Sequence, residues 1–364
     1  MLIAADVGGT HARVALIAPT RHGDGTFDVL HYRKYVCADF PGLAAIIAGF
    51  RRDVVHAPVD QVALAIAGHV VDDTVVNVNL PWAVSVSGLR EALGVRDLAI
   101  VNDFEAVAHA IGHIEEDDTL ALSGTEVATE GPVLVVGPGT GLGAALRIPS
   151  RDGAVILATE AGQATLAPDT DLEFDLLRIL RARGSRVLIE HVLSGTGLMN
   201  LAAAIRVLHG EPAIARTPAQ ISAAAIAGAD PVAVLTIDVF CGWLGSVLGD
   251  LALLYGAQGG VYLAGGVLPQ IKGLLQRSTF AQRFLDKGAM REALARTPVR
   301  LVDHAQLGVI GAAIWYFARD SNPVRAADVR VQTATGASSK TDPHEPASGV
   351  QRTRSQPMTR GEQS

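Results

Sequence analysis

Ile100-Val101-Asn102-Asp103-Phe104 is the stretch on which the reading of this chain turns. The apolar Leu98 and Ala99 precede it, and Glu105-Ala106-Val107-Ala108-His109-Ala110-Ile111 follows with the spacing of a helix that buries one face. A strand that ends at Asn102-Asp103 and passes into a helix sets those polar side chains at the carboxyl edge of a sheet, where open α/β folds gather their ligands. Asp103 is therefore a candidate general base, and Asn102 a candidate for orienting a polar substrate. Helix capping is the competing role, because Asp is favoured at helix starts. This stretch by itself leaves both open.

Outward from it, the chain repeats one unit. Leu2-Ile3-Ala4-Ala5 runs into Asp6-Val7-Gly8-Gly9-Thr10 and returns as Arg13-Val14-Ala15-Leu16-Ile17; Pro132-Val133-Leu134-Val135-Val136 runs into Gly137-Pro138-Gly139-Thr140-Gly141-Leu142-Gly143 and returns through Ala144 to Ile148. Each reads as strand, glycine-rich turn with threonine, strand. Such turns expose backbone N–H groups and let a phosphate approach closely, so the pair is expected to grip a polyphosphate from two sides. Asp6 repels a bare phosphate and is expected beside a hydrated Mg²⁺. An ordinary Gly-Gly hairpin is the plainer alternative for the first turn. Neither a dinucleotide fingerprint nor a Walker A loop is present: the second turn lacks its acidic partner and helix, and no Lys-Ser/Thr pair follows the glycines.

The remaining segments complete two α/β units. Phe27 to Val36 suits a strand, Leu43 to Phe50 a helix, and the apolar Val62 to Gly68 an interior parallel strand. Val70 to Val78 is expected as a hairpin or edge element, and Ser87 to Leu93 as a short helix closed by Gly94. A second unit starts near Gly112. There, Val155 to Ala158 ends at Thr159-Glu160-Ala161-Gly162-Gln163, and Asp171 to Leu180 reads as a helix with Arg181 and Arg183 near its end. Val187 to Leu193 leads to Ser194-Gly195-Thr196-Gly197, expected as a flexible junction before a helix from Met199 to Leu208. Glu160 and Glu190 are candidates for accepting hydrogen bonds from sugar hydroxyls, with solvent-facing charge as the plainer role. Pro218 to Ile226 and the apolar run from Pro231 are further helices, the latter with Gly242, Gly245 and Gly249 on nearly one face for close packing. Gly260 to Ala264 is a strand ending at Gly265-Gly266, a pair that would let backbone lie against adenine or ribose; taken alone, a plain strand-to-helix turn before Gln270 to Leu275 is the favoured reading. Pro298 to Val302 is another strand, and Leu307 to Phe317 the last helix.

The chain has 364 residues and a formal net charge of -7, enough length for two domains and no basic block to favour nucleic acid or an anionic membrane. Cys37 and Cys241 are read as isolated reduced thiols. The apolar run from Pro231 to Ala257 carries Asp238 and Asp250 and is expected as a buried helix, not a membrane span. No signal core opens the chain, which gives the expectation of a cytoplasmic protein. From Asp320 onward the composition turns to Ser, Thr, Pro, Gly and charge, so residues 320–364 are expected to be a disordered tail.

Together these segments resemble the bacterial glucokinase family of the hexokinase/actin-like ATPase superfamily, over roughly Met1 to Ala318. The resemblance rests on Asp6 to Arg13, Asn102-Asp103-Phe104, Gly137 to Gly143, Glu190-His191-Val192-Leu193-Ser194-Gly195 and Leu263-Ala264-Gly265-Gly266. It implies a two-domain α/β actin-like ATPase fold of the ribonuclease H-like kind, with a cleft between a small domain (1–111 plus 304–319) and a large one (112–303). It also implies ATP and Mg²⁺, Asp103 as catalytic base, and sugar contacts from Asn102, Asp103, Glu160 and Glu190. Phosphate contacts are implied for Asp6, Val7, Gly8, Gly9, Thr10, Gly137, Gly139, Thr140 and Gly141, with Gly265 and Gly266 on the nucleotide. A homodimer phosphorylating glucose is the implied enzyme. Two residues depart from the family pattern. Gln163 stands where the family commonly has a sugar-contacting histidine, and His11 where it has asparagine. Gln163 leaves open a kinase for another hexose or amino sugar, or a catalytically weak sugar sensor.

Overall fold

The computed structural model describes residues 1–19, 27–55, 58–76, 80–124, 130–151, 153–182, 184 and 186–319. Arg183, part of the Val70–Val78 segment and the tail expected from 320 lie outside them. By chain contacts the described residues fall in one unit.

The strands of the first half are β1 (Leu2–Val7), β2 (His11–Pro19), β3 (Phe27–Val36), β4 (Gln61–Ile66), β5 (His69–Val71), β6 (Thr74–Val76) and β7 (Asp97–Asn102). Its helices are α1 (Leu43–Val54), α2 (Val86–Leu93) and α3 (Asp103–Ile111). A five-stranded sheet has the order β3-β2-β1-β4-β7, with β1, β4 and β7 parallel and β2 and β3 antiparallel to their neighbours. Both faces of β1 and β4 are covered, which explains their unbroken apolar runs. Ile3, Ala5 and Val7 face Ile46, Ile47 and Phe50 of α1, while Leu2 and Ala4 face Val309, Ala312 and Trp315 near the end of the chain.

The second half contributes β8 (Thr119–Ser123), β9 (Val133–Pro138), β10 (Leu142–Ser150), β11 (Gly153–Thr159), β12 (Gly260–Leu263) and β13 (Val299–Val302). These make a six-stranded sheet in the order β11-β10-β9-β12-β13-β8. Apart from β8 this repeats the first sheet, hairpin partners on one side of the leading strand and parallel strands on the other. The helices are α4 (Asp171–Arg181), α5 (Gly195–Leu208), α6 (Pro218–Ile226), α7 (Pro231–Tyr255), α8 (Lys272–Leu275), α9 (Phe280–Leu285), α10 (Arg291–Leu294) and α11 (Leu307–Ala318). By length and composition α7 passes for a membrane span, but 78% of its apolar window is buried inside the protein, as a core helix would be. Its glycines explain the packing. A side chain on Gly245 would overlap the Phe280 carbonyl and one on Gly249 would crowd that of Phe284, so α9 lies directly on α7.

Two readings need correction. Ser194-Gly195-Thr196-Gly197 is no flexible junction: Ser194 caps α5, accepting from the Gly197 N–H at 2.9 Å, and the helix begins at Gly195, not Met199. Gly197 lies so close to the Val192 carbonyl that no side chain fits, which is why a helix starts on glycine. The segment before it holds a short 3-10 turn at Ile189–His191. The edge strand β8 had no counterpart in the sequence reading.

Candidate active site

Strand register brings the candidate residues of the first half to one edge. Val7 pairs with Ile66 and Ile66 with Asn102, so the turn after β1, Gly68-His69 after β4 and Asn102-Asp103 after β7 share the carboxyl end of the sheet. In the second half Val136 pairs with Leu263, which places the β9–β10 turn beside Gly265-Gly266.

Asn102, not Asp103, caps α3. Its Oδ1 accepts from the N–H groups of Phe104 at 2.9 Å and Glu105 at 3.1 Å. That leaves the Asn102 amide N–H₂ as the part suited to a substrate acceptor. Asp103 is the first helical residue, and its Oδ1 also accepts from Phe104 N–H at 2.9 Å. Burial pushes its carboxyl up to about 7, and the negative charges of Asp6 and then Glu160 push the same way against the backbone hydrogen bonds. A carboxyl poised near neutrality is matched to taking a proton from an alcohol.

Asp6 is raised first by burial and restrained by Arg13, whose Nη1 donates to Asp6 Oδ2 at 3.0 Å across the β1–β2 ladder. Sequence reading passed over Arg13; its position opposite Asp6 in a hairpin was the available signal. The Gly8 N–H closes the turn on the His11 carbonyl at 3.0 Å. His11 is held below its ordinary range by burial and then by the Lys34 and Arg13 charges, so near neutrality it brings no cation to a phosphate. Thr10 is exposed at the turn, whereas Val7 is buried in the core behind it.

The second turn differs. Gly137 is buried, and a side chain there would press on the Phe104 ring and the Ala264 carbonyl. Gly143 lies flat under the same ring. Gly139, Thr140 and Gly141 remain at the surface of the turn, with Gly139 N–H donating to Gly141 O at 2.8 Å. The Gly139 carbonyl accepts from Gly195 N–H at 2.8 Å, so the positive end of α5 sits against this turn. Gly265 has φ +95° and packs on the Pro138 carbonyl, and Gly266 opens on free space.

Glu160, Gln163 and Glu190 gather beside that turn. Gln163 Nε2 donates to Glu190 Oε1 at 2.7 Å, while a side chain on Gly141 would come within 2.9 Å of Glu190 Oε2. His69 Nε2 donates to Glu160 Oε1 at 3.2 Å, a contact between the halves that the sequence did not announce. Among the described residues no cluster of three or more His, Cys, Asp or Glu could hold a metal by itself.

The comparisons decide the family. The glucokinase family model matches residues 3–319. The chain belongs to the glucokinase family. A glucokinase-like protein of Xylella fastidiosa is 47% identical over 315 residues, 86% of this chain and 94% of that protein. The crystal structure of a glucokinase from an Antarctic psychrotroph, 35% identical, covers 86% of this chain and 97% of its own, with a TM-score of 0.73. A Streptomyces griseus ROK-family glucokinase solved with glucose and AMPPNP shares the fold at a TM-score of 0.59 and 23% identity, covering 88% of this chain and 99% of that one. As a member of this family the chain is a hexose kinase, and the α/β architecture with mixed sheets is the one its relatives share.

Proposed function

We propose that this chain transfers the terminal phosphoryl group of ATP to the primary 6-hydroxyl of glucose, with Asp103 as general base. Family membership supports the reaction. The observation that carries the role of Asp103 is its carboxyl, poised at about 7 at a strand end beside Asp6 and Glu160. In this reading the 6-hydroxyl gives its proton to Asp103 as its oxygen bonds to the γ-phosphorus; the bond from that phosphorus to the bridging oxygen breaks, and ADP departs with the electron pair. Asp103 then releases its proton to water.

Gly9, Thr10, Thr140 and Gly141 would meet the phosphates with N–H groups and hydroxyls, on turns that Gly8 and Gly139 close through their own N–H groups, and Gly265-Gly266 would meet the nucleoside, while buried Val7 and Gly137 hold the turns from behind. Mg²⁺ carried by the nucleotide would offset phosphate charge. Asp6 is a single carboxylate already shared with Arg13, and that donor set fits a hydrated ion arriving with its phosphates better than a resident metal. Asn102, Glu160, Gln163 and Glu190 would take the sugar. We further infer a small domain of 1–111 plus 304–319, a large one of 112–303 with the cleft between them, a homodimer, and a cytoplasmic location.

The Gln163–Glu190 hydrogen bond supports a second reading, a kinase for a different hexose or an amino sugar. The experiment is ADP release from Mg²⁺-ATP with glucose and with a panel of hexoses and amino sugars, alongside mass detection of the sugar phosphate. Glucose 6-phosphate as the preferred product supports the first reading, and preference for another sugar the second. Sugar binding with no ADP formed from any sugar overturns both and leaves a sensor.

A further inference from the structure

β5 and β6 form a two-stranded sheet of their own, joined by Asp72 and Asp73 at φ 46° and 71°. Left-handed backbone at both turn residues is the geometry of a tight hairpin whose twist suits its strands. The turn end is tied down. Asp73 accepts from the Ser87 N–H at 2.9 Å, the Ser87 hydroxyl at 2.6 Å and the Ser85 hydroxyl at 2.8 Å, and the Val86 N–H donates to the Asp73 carbonyl at 2.8 Å. The Val75 N–H donates to the Val84 carbonyl at 2.9 Å, which fixes β6 to the segment leading into α2. The hairpin is thus anchored on the first half by its tip, and at its base it presents His69.

His69 reaches Glu160, 91 positions away in the second half, at 3.2 Å. Both side chains are open to solvent, 65% and 60% exposed, so the contact adds little to the stability of the fold. Its consequence is positional. A carboxylate at the end of β11 swings freely unless something holds one oxygen; with Oε1 taken by His69, Oε2 is engaged by no described residue and is left for a hydroxyl. On the other side of the same short turn Gln163 holds Glu190 in the same way, by donating one N–H to one oxygen. Two carboxylates are therefore each steered by one neutral-capable donor, and the two donors come from different halves of the molecule.

We propose that His69 is a positioning residue for the sugar: it acts through Glu160, fixing the carboxylate that receives the hexose hydroxyls, and so sets sugar affinity from the opposite half of the site. This rests on the kinase reading above. Chemically the role asks for a donor of the right reach rather than for a titrating group, so an amide can replace the imidazole.

The test uses the full chain carrying His69→Ala or His69→Gln, with steady-state kinetics in glucose and in ATP and direct glucose titration by calorimetry without nucleotide. His69→Ala is expected to raise the glucose KM and Kd by about five-fold, with the ATP KM and kcat within about two-fold of the parent. His69→Gln is expected to restore both sugar constants. Glucose constants unchanged in His69→Ala, or equal rises in the KM for glucose and for ATP, overturn the role. A parent protein that neither binds nor phosphorylates glucose instead fails the kinase reading, a result separate from any difference between the variants.

Discussion

The two sheets have the same strand order around the same kind of turn, and they hold opposite chemistry. The first turn is flanked by charge, with Asp6 paired to Arg13 and Asp103 two strands further along the sheet. The second carries no ionisable side chain between Gly137 and Gly143; its glycines serve close packing under Phe104 and a surface of neutral backbone N–H groups beside the start of α5. A shared topology therefore sets the two turns in the same frame, while a few side chains give the first half its charge and leave the second turn neutral.

The largest effect should come from Asp103→Asn. Loss of the base is expected to lower kcat by about 10²–10⁴-fold while calorimetry still shows glucose binding, and turnover at the parent rate would move the proton chemistry out of the first half. The same variant carries a stability signature. The folded carboxyl titrates near 7 and its unfolded counterpart near 4, so between those values the folded state holds the extra proton and stability falls as pH rises. Asp103→Asn removes that penalty, and its melting temperature is expected to exceed the parent's at pH 8 but not at pH 4.

Next comes the packing half of the contrast. Gly143→Ala drives a methyl group into the Phe104 ring and is expected to cost about 1–3 kcal/mol in denaturant unfolding. Gly266→Ala meets open space and should unfold like the parent, any change falling on the ATP KM instead. Equal destabilisation by both would erase the distinction between the packed glycine and the open one.

The pH profile sharpens the first half further. With the base near 7, kcat/KM for glucose is expected to fall about tenfold per unit on the acid side of that value. A flat profile from pH 8 to 5.5 would mean that Asp103 is not the titrating group. The smallest effect belongs to Gln163→His, expected to shift the glucose KM by a few-fold and the ATP KM less, because the side chain meets Glu190 and not the glycine turns.

Much of this was legible in the residues themselves. Unbroken apolar runs marked the parallel strands because helices cover both their faces, and the paired strand-turn-strand units marked the duplicated sheets. Boundaries written in side-chain chemistry were legible too: Gly94 stops α2 in the left-handed region as expected, and Pro218 and Pro231 open their helices. What escaped depended on neighbours distant in sequence. β8 is a five-residue edge strand whose partner, β13, lies far along the chain, so its pattern carried no signal of pairing. The start of α5 was hidden because Gly195 and Gly197, read as loop residues, are small for the sake of Gly139 and Val192. In the site, Asp103 and Glu160 sit where local motifs put them, but Asn102 spends its oxygen on the cap, and the partnerships of Arg13 with Asp6 and His69 with Glu160 come from register and from a contact between halves.

Phe104 adjoins Asp103 in the chain, and its ring lies over Gly137 and Gly143 of the other sheet. Positions 104, 137 and 143 therefore form a single unit of variation. A lineage that enlarges Gly143 must shrink the ring in the same step or give up stability, while at Gly137 the Ala264 carbonyl bars a side chain as well, and a smaller ring loosens the residue next to the acid. A substitution in the second sheet is thereby felt at the residue beside a carboxyl in the first.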